Sequence, residues 1–326
     1  MTKQNKNVYQ RITDQIVAAI ERGVNEWRMP WHGREGRGTA RPLNVVSRRA
    51  YRGVNVLALW AAAQEAGYPT GVWGTYRQWA ELGAQVRRGE RGTLVVFWKV
   101  YDRGAGDQDD AATPDEEREG SGRRRFLARG YTIFNAAKVD GFAAPASCER
   151  PLVERDMAAE CFLDALDITT VFGCDRAYYL PSTDSIHLPP FEIFGDATSA
   201  YAVRAHECAH ATGASHRLAR DLSGRFGSDA YAPEELVAEL TAAFVCADLG
   251  LSTEPRPDHA AYIASWLKVL RGDKRAIFSA AAQAQRAADW MHEQQPDAAE
   301  IAEMKECKRH NTVSAACPPA AARVRP

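Results

Sequence analysis

The stretch His206-Glu-Cys-Ala-His-Ala-Thr-Gly-Ala-Ser-His216, HECAHATGASH, carries two metal-binding signatures laid over each other. Its first five residues read H-E-x-x-H, and all eleven read H-E-x-x-H-x-x-G-x-x-H. Together with the residues before it, TSAYAVRA, the motif has the pattern of a half-buried helix spanning 197–212. On such a helix His206 and His210 stand about one turn apart on one face, so both imidazoles can reach one ion. Glu207 then lies beside that ion but off the ligand axis, placed to take a proton from a metal-bound water. Zinc is the expected ion, and another divalent metal also suits these donors. The plainer alternative, a surface helix with unrelated histidines, fits poorly with the half-buried pattern.

The two signatures disagree about the third ligand. In the longer one Gly213 breaks the helix and His216 swings back to the metal, a geometry that also needs a methionine turn beneath the ion. The later methionines are Met291, in a helical run, and Met304, in an Ala/Pro-rich stretch, and neither sits in a turn pattern. The rival lies in YAPEELVAELTAAFVCADLG (231–250), where Pro233 followed by Glu234 and Glu235 marks a helix start. Glu239 falls among the apolar positions Leu236, Leu240 and Ala243, where an unpaired carboxylate is costly. Glu235 and Glu239 are one turn apart, so one can bind metal while the other orients a ligand histidine from behind. We favour Glu235 as ligand and Glu239 behind it, with the roles interchangeable and His216 as the alternative ligand.

Outward from the motif, the second half reads as a helix at 151–166, strands at 177–180 and 185–188, and helices at 233–249, 258–271 and 273–292. From Pro296 the chain is expected to be a flexible tail, placing that domain at 151–293 and the tail at 294–326. The first half, 1–146, has helical spacing from Tyr9 to Gly23, an alanine-rich helix from Gly53 to Ala66, a short helix from Thr75 to Leu82 and a strand at 92–101. Residues 126–139 supply the partner strand. Between them, 102–125 is almost free of apolar side chains and is expected to be a disordered acidic insertion. Residues 145–151 are the expected linker. The fold class is therefore α+β, with each half long enough to bury its own core.

Composition narrows the function. The chain has 326 residues and a net charge of −1, yet residues 1–100 hold 16 Lys and Arg against 7 Asp and Glu. The first hundred residues thus carry +9 and the remainder −10, a split suggesting that one half meets a polyanion. Six of the eight tryptophans lie in the same hundred residues. Aromatic faces interleaved with cations suit unstacked bases and their phosphates. The densest clusters are Arg48, Arg49, Tyr51, Arg52 and Asn55, then Trp73, Tyr76, Arg77, Arg87, Arg88 and Arg91. At least half of these tryptophans should be core, Trp60 and Trp98 first among them. No duplex-reading motif is visible, so single-stranded DNA is the expected partner. Seven cysteines without a C-x-x-C pair argue for reduced thiols. Neither a signal-peptide pattern nor a run long enough to span a membrane is visible, so a cytoplasmic location without membrane contact is expected.

Several separated segments together resemble one family. HECAHATGASHRLAR, RFGSDAYAPEELVAELTAAFVCADLG and HAAYIASWLKVLRGDKRAIFSAAAQAQRAADWM are similar to the metallopeptidase domain of the ArdC antirestriction proteins. VYQRITDQIVAAIERGVNEWRMPW, RPLNVVSRRAYRGVNVLALW, GVWGTYRQWAELGAQVRRGERGTLVVFW and FNAAKVDG are similar to that family's DNA-binding domain. The resemblance spans about residues 7–293. It implies a basic N-terminal single-stranded-DNA-binding domain followed by a zincin-like metallopeptidase domain, in a plasmid or mobile-element protein that shields incoming DNA from restriction during conjugation. A protein substrate or a restriction enzyme would be a further partner. The family places its zinc on the two motif histidines and a downstream acid, which favours Glu235. It usually has a histidine directly after the Thr-Gly, where this chain has Ala214.

Overall fold

Ile12, Ile16 and Ile20 recur on one face of α1 (Val8–Gly23) and all three are fully buried, so the periodicity of the first segment is spent on packing. The computed structural model describes residues 7–23, 29, 41–102, 116–119, 124–143, 152–222, 232–251 and 259–296. After α1 come β1 (Leu43–Asn44), α2 (Val54–Ala66), β2 (Val72–Thr75), α3 (Tyr76–Glu81), β3 (Gln85–Val86) and β4 (Thr93–Asp102). β5 (Glu116–Glu119), β6 (Arg124–Asn135) and β7 (Val139–Asp140) complete the first half. The second half runs α4 (Leu152–Asp164), β8 (Thr169–Phe172), β9 (Tyr178–Leu180), β10 (Ser185–Leu188), α5 (Ala197–Ala211), α6 (Ala232–Leu249), α7 (His259–Gly272) and α8 (Ala276–Glu293).

Local chemistry sets several boundaries. α2 ends at Gly67, which adopts the left-handed conformation and donates its N–H to the Ala63 carbonyl. α3 starts on a capping box, with the Thr75 side chain accepting from the Gln78 N–H and the Gln78 side chain accepting from the Thr75 N–H. Asp196 caps α5 by accepting from the Ser199 N–H at 2.7 Å.

The first-half sheet has the order β1-β2-β6-β4, with β4 and β6 antiparallel over ten residue pairs. β5 also pairs with β6, Glu116 opposite Arg129 and Glu119 opposite Phe126. This corrects the expectation for 102–125, because residues 116–119 form a strand. β2 covers β6 only at 133–135, and β5 pairs with it at 126–129. Backbone hydrogen bonding, indifferent to side-chain polarity, satisfies that edge. The rest of the expected insertion, from 103 to 115 and 120 to 123, lies outside the described residues, as do the expected linker and the tail from 297 onward. In the second half β8 lies parallel to β10, with β9 antiparallel on its other side. The sequence pattern points to β9 and β10 but not to β1, β2, β3, β7 and β8.

One buried cluster runs through both halves. It joins Ile12, Trp60, Val96 and Ile133 to Phe244, Ile277 and Met291. Trp60 packs on Phe244 with ring centroids 5.8 Å apart, and Tyr9 on Phe278 at 4.6 Å. The two halves, each long enough for a core, share one here: α1 and α2 expose apolar faces that α7 and α8 cover. Polar ties reinforce the seam. The Thr13 hydroxyl donates to the Lys274 carbonyl at 2.7 Å, and the Gly53 N–H donates to Gln285 at 3.1 Å. No helix among the described residues is long and apolar enough to cross a membrane. Cys161, Cys174, Cys208 and Cys246 are free thiols, and burial pushes Cys208 and Cys246 up to about 12.

Candidate metal centre and nucleic-acid face

α5 and α6 pack against each other and present His206, His210 and Glu235 to one point. One ligand atom from each lies within 4.8 Å of the others, and all three residues are buried. The two Nε2 atoms are 3.2 Å apart, and the Glu235 oxygens lie 3.5 Å from His206 Nε2 and 3.4 Å from His210 Nε2. Burial alone would raise the Glu235 carboxyl, but hydrogen bonds to both imidazoles outweigh it and hold the group well below the usual carboxylate range. Burial likewise works against a charged His210, yet Glu234 and Glu235 hold its imidazole up at about 10. Two imidazole nitrogens and a carboxylate converging on one buried point are the donor set of a divalent-metal site that keeps a position open for water. Glu207, next to His206 on α5, is 3% exposed and close enough to act electrostatically on His210.

The far nitrogens of both rings also meet carboxylates. His206 Nδ1 lies 3.6 Å from Glu239, and His210 Nδ1 lies 3.2 Å from Glu234. The hydrogen bond to Glu234 fixes which nitrogen of His210 faces the centre, whereas Glu239 stands behind His206 at ion-pair and not hydrogen-bond distance. The sequence reading anticipates Glu239 behind a histidine but not Glu234, because a glutamate in the first turn of a helix reads as a favourable charge at the helix dipole. Glu234 is nevertheless buried. The Arg220 guanidinium holds it through Nε at 2.9 Å and Nη2 at 2.8 Å, and keeps its carboxyl below the ordinary value despite burial.

The structure gives the segment after Gly213 a different use from the one the longer signature assigns. The last carbonyls of α5 need donors. Arg220 donates to the Ala209 carbonyl at 2.7 Å and to the Thr212 hydroxyl at 2.7 Å, while Arg217 donates to the Ala211 carbonyl at 2.9 Å. Gly213 makes room for this return. A Cβ there would meet Leu222 Cδ2 at 2.9 Å and Arg220 Nη2 at 3.1 Å. His216 therefore lies outside the cluster. Its side chain is 59% exposed and stands 3.3 Å from Asp184, which Arg217 grips at 2.7 and 2.8 Å.

The residues expected to meet DNA divide in two. Arg48, Arg49, Tyr76, Arg77, Arg87 and Arg88 are exposed. Of these, Arg77 pairs with Glu81 at 2.8 Å, and Arg87 pairs with Glu90 at 3.1 Å. Tyr51, Asn55 and Trp73 are corrections, since they are only 6%, 5% and 1% exposed. Asn55 accepts from the Val96 N–H at 2.8 Å and donates to the Val96 carbonyl at 2.7 Å, bolting α2 to β4. Trp73 sits in the core against Tyr68, and the Tyr51 hydroxyl accepts from Asn44. Arg52 is exposed but ion-paired with Asp289 of α8. Arg41, which lies under Phe244, pairs with Asp248 at 3.1 Å. Part of the opposite charge of the two halves is thus spent across their own seam. Trp60 is buried as expected, whereas Trp98 is 43% exposed and donates to the Tyr9 hydroxyl at 3.1 Å. Trp98 lies at the border of the helix layer, where its edge finds a polar partner.

The comparisons with known proteins agree with this architecture. A family model described as zincin-like metallopeptidase matches residues 157–283, so the second half carries a fold of that class. Residues 6–134 match the model for the N-terminal domain of the anti-restriction factor ArdC. An antirestriction ArdC protein from plasmid R388, solved metal-free, is 39% identical with a TM-score of 0.69, over 88% of this chain and 97% of that one. Its Mn(II)-bound structure matches at 38% identity and the same TM-score, over 89% and 98%. The chain belongs to the ArdC antirestriction family. The uncharacterized protein y4eC of Sinorhizobium fredii is 58% identical over 292 residues, covering 90% of this chain and 94% of that protein. DNA primase TraC of Escherichia coli is 36% identical over 303 residues, and there the chain spans only 27% of the relative's length.

Proposed function

We propose that this protein shields incoming DNA from restriction during conjugation, binding single-stranded DNA through its first half and carrying a zinc peptidase site in its second. The observation that carries the reading is the buried His206–His210–Glu235 cluster beside Glu207, in a chain whose other half matches the N-terminal domain of an anti-restriction factor. His206, His210 and Glu235 would hold the ion, and Glu239 and Glu234 would fix the two rings. A zinc ion held there would polarise a peptide carbonyl and acidify a water. Glu207 would take the water proton and pass it to the leaving amine. The substrate is a protein found on incoming DNA, with a restriction enzyme the first candidate, and the place of action is the cytoplasm of the recipient cell.

A second reading, a DNA-coating protein whose metal only braces α5 against α6, draws on one observation: the three ligand residues are almost wholly buried, at 2–4% exposure. Glu207→Ala separates the two. It removes the base and leaves all three ligands in place. Loss of protection in a conjugation assay, with metal content and DNA affinity unchanged, supports the peptidase; full protection supports coating.

A further inference from the structure

We infer that the open end of the β4–β6 face, formed by Phe97, Tyr131 and Arg129, is a stacking platform for single-stranded nucleic acid, an inference that rests on the DNA-binding reading above. Register places these residues on one side of the sheet, with Phe97 opposite Arg129 and Val95 opposite Tyr131. On that same side Val95 and Ile133 are buried, so the covered part of the face stops between them and Phe97. Beyond that limit Phe97 is 48% and Tyr131 39% exposed. Their rings meet edge to face with centroids 5.5 Å apart, and the Arg129 guanidinium lies 5.6 Å from the Tyr131 centroid. Two rings and a guanidinium plane on a sheet surface offer flat faces that any base can stack on, whatever its identity.

Charge selects a nucleic acid over a protein partner. The buried Tyr51 ring, 6.5 Å from Phe97, joins the platform to the exposed turn that bears Arg48 and Arg49. Arg48 stands at φ +56°, a left-handed conformation at the tip of that turn. Of the four arginines between residues 41 and 52, Arg41 and Arg52 pair with Asp248 and Asp289, which leaves Arg48 and Arg49 to face solvent. Phosphates therefore have Arg48 and Arg49 on the turn next to Tyr51, while the far edge of the platform is bounded by β5, where Glu116 stands opposite Arg129. A duplex keeps its base faces inside, so only an unpaired strand can use both features.

The test measures binding of fluorescent oligo-dT to the full chain by anisotropy across a salt series. Phe97→Leu with Tyr131→Leu removes the rings and keeps every charge. It should weaken binding by about ten-fold or more, with the slope against salt, melting temperature and metal content unchanged. Arg129→Lys, a milder change that keeps the charge and loses the plane, should weaken it a few-fold. Unchanged affinity in both variants overturns the platform and leaves the patch to a protein partner. If the unsubstituted chain does not bind oligo-dT, the DNA-binding reading itself fails, and the platform with it.

Discussion

His206, His210 and Glu235 are held by two packed helices at 2–4% exposure, whereas Arg48, Arg49, Arg77 and Arg88 stand on turns and helix ends open to water. The contrast follows from what each site must do. A metal centre gains from ligands fixed before the ion arrives, and fixing them takes a rigid interior and an outer ring of carboxylates. A surface that follows a flexible polyanion gains from long cationic side chains that are free to adjust. Single changes should therefore be severe at the first site and graded at the second.

The largest expected effect separates the two candidate third ligands. Glu235→Ala should reduce metal affinity more than a hundred-fold and lower the melting temperature, since the carboxylate ties α6 to both histidines of α5. His216→Ala, at an exposed position, should leave metal content at the level of the unsubstituted protein. Metal analysis of the two purified variants decides it, and loss from the His216 variant alone would return that residue to the ligand set.

Next comes Glu234→Gln, which keeps the shape but weakens the hold on His210. Metal affinity should fall by about 10- to 100-fold with oligo-dT binding untouched, as competition with a chelator would show. A change below two-fold would mean that packing alone orients the ring.

Asn55→Ala should act on stability and not on DNA contact. The buried N–H and carbonyl of Val96 would lose their partners, at a cost of about 2 kcal/mol. DNA affinity should hold at temperatures where the variant is folded. A specific loss of affinity without destabilisation would restore Asn55 to the DNA-contacting set.

The smallest effect belongs to Arg48→Ala with Arg49→Ala. Affinity for oligo-dT should drop a few-fold, and the slope of log affinity against log salt should become shallower by about 1–2. An effect as large as that of Glu235→Ala on its own site would mean that the basic turn is as preorganised as the metal centre, ending the contrast between the two regions.

The metal cluster was legible because its spacing lives on one helix: H-E-x-x-H fixes two ligands by periodicity alone, and the acidic helix start at Pro233 points to the rest. Glu234 was not legible, since its burial depends on Arg220 returning over Gly213, a tertiary event that no local pattern encodes. The long helices were readable from apolar repeats, while β5 was not, because Glu-Glu-Arg-Glu offers no apolar pattern and the strand is defined by its backbone pairing with β6. Burial of Tyr51, Asn55 and Trp73 was hidden for a related reason. Aromatic and arginine-rich composition looks the same whether a ring stacks on a base or on Tyr68.

The shared core has a consequence for inheritance. Since α1 and α2 are roofed by α7 and α8, a cut near residue 145 would strand apolar faces on both fragments. Either half moved alone would carry an apolar face that its partner now covers. The likeness to TraC fits this: 89% of this chain aligns there within 27% of a longer polypeptide. There the two halves occur side by side, within one longer polypeptide.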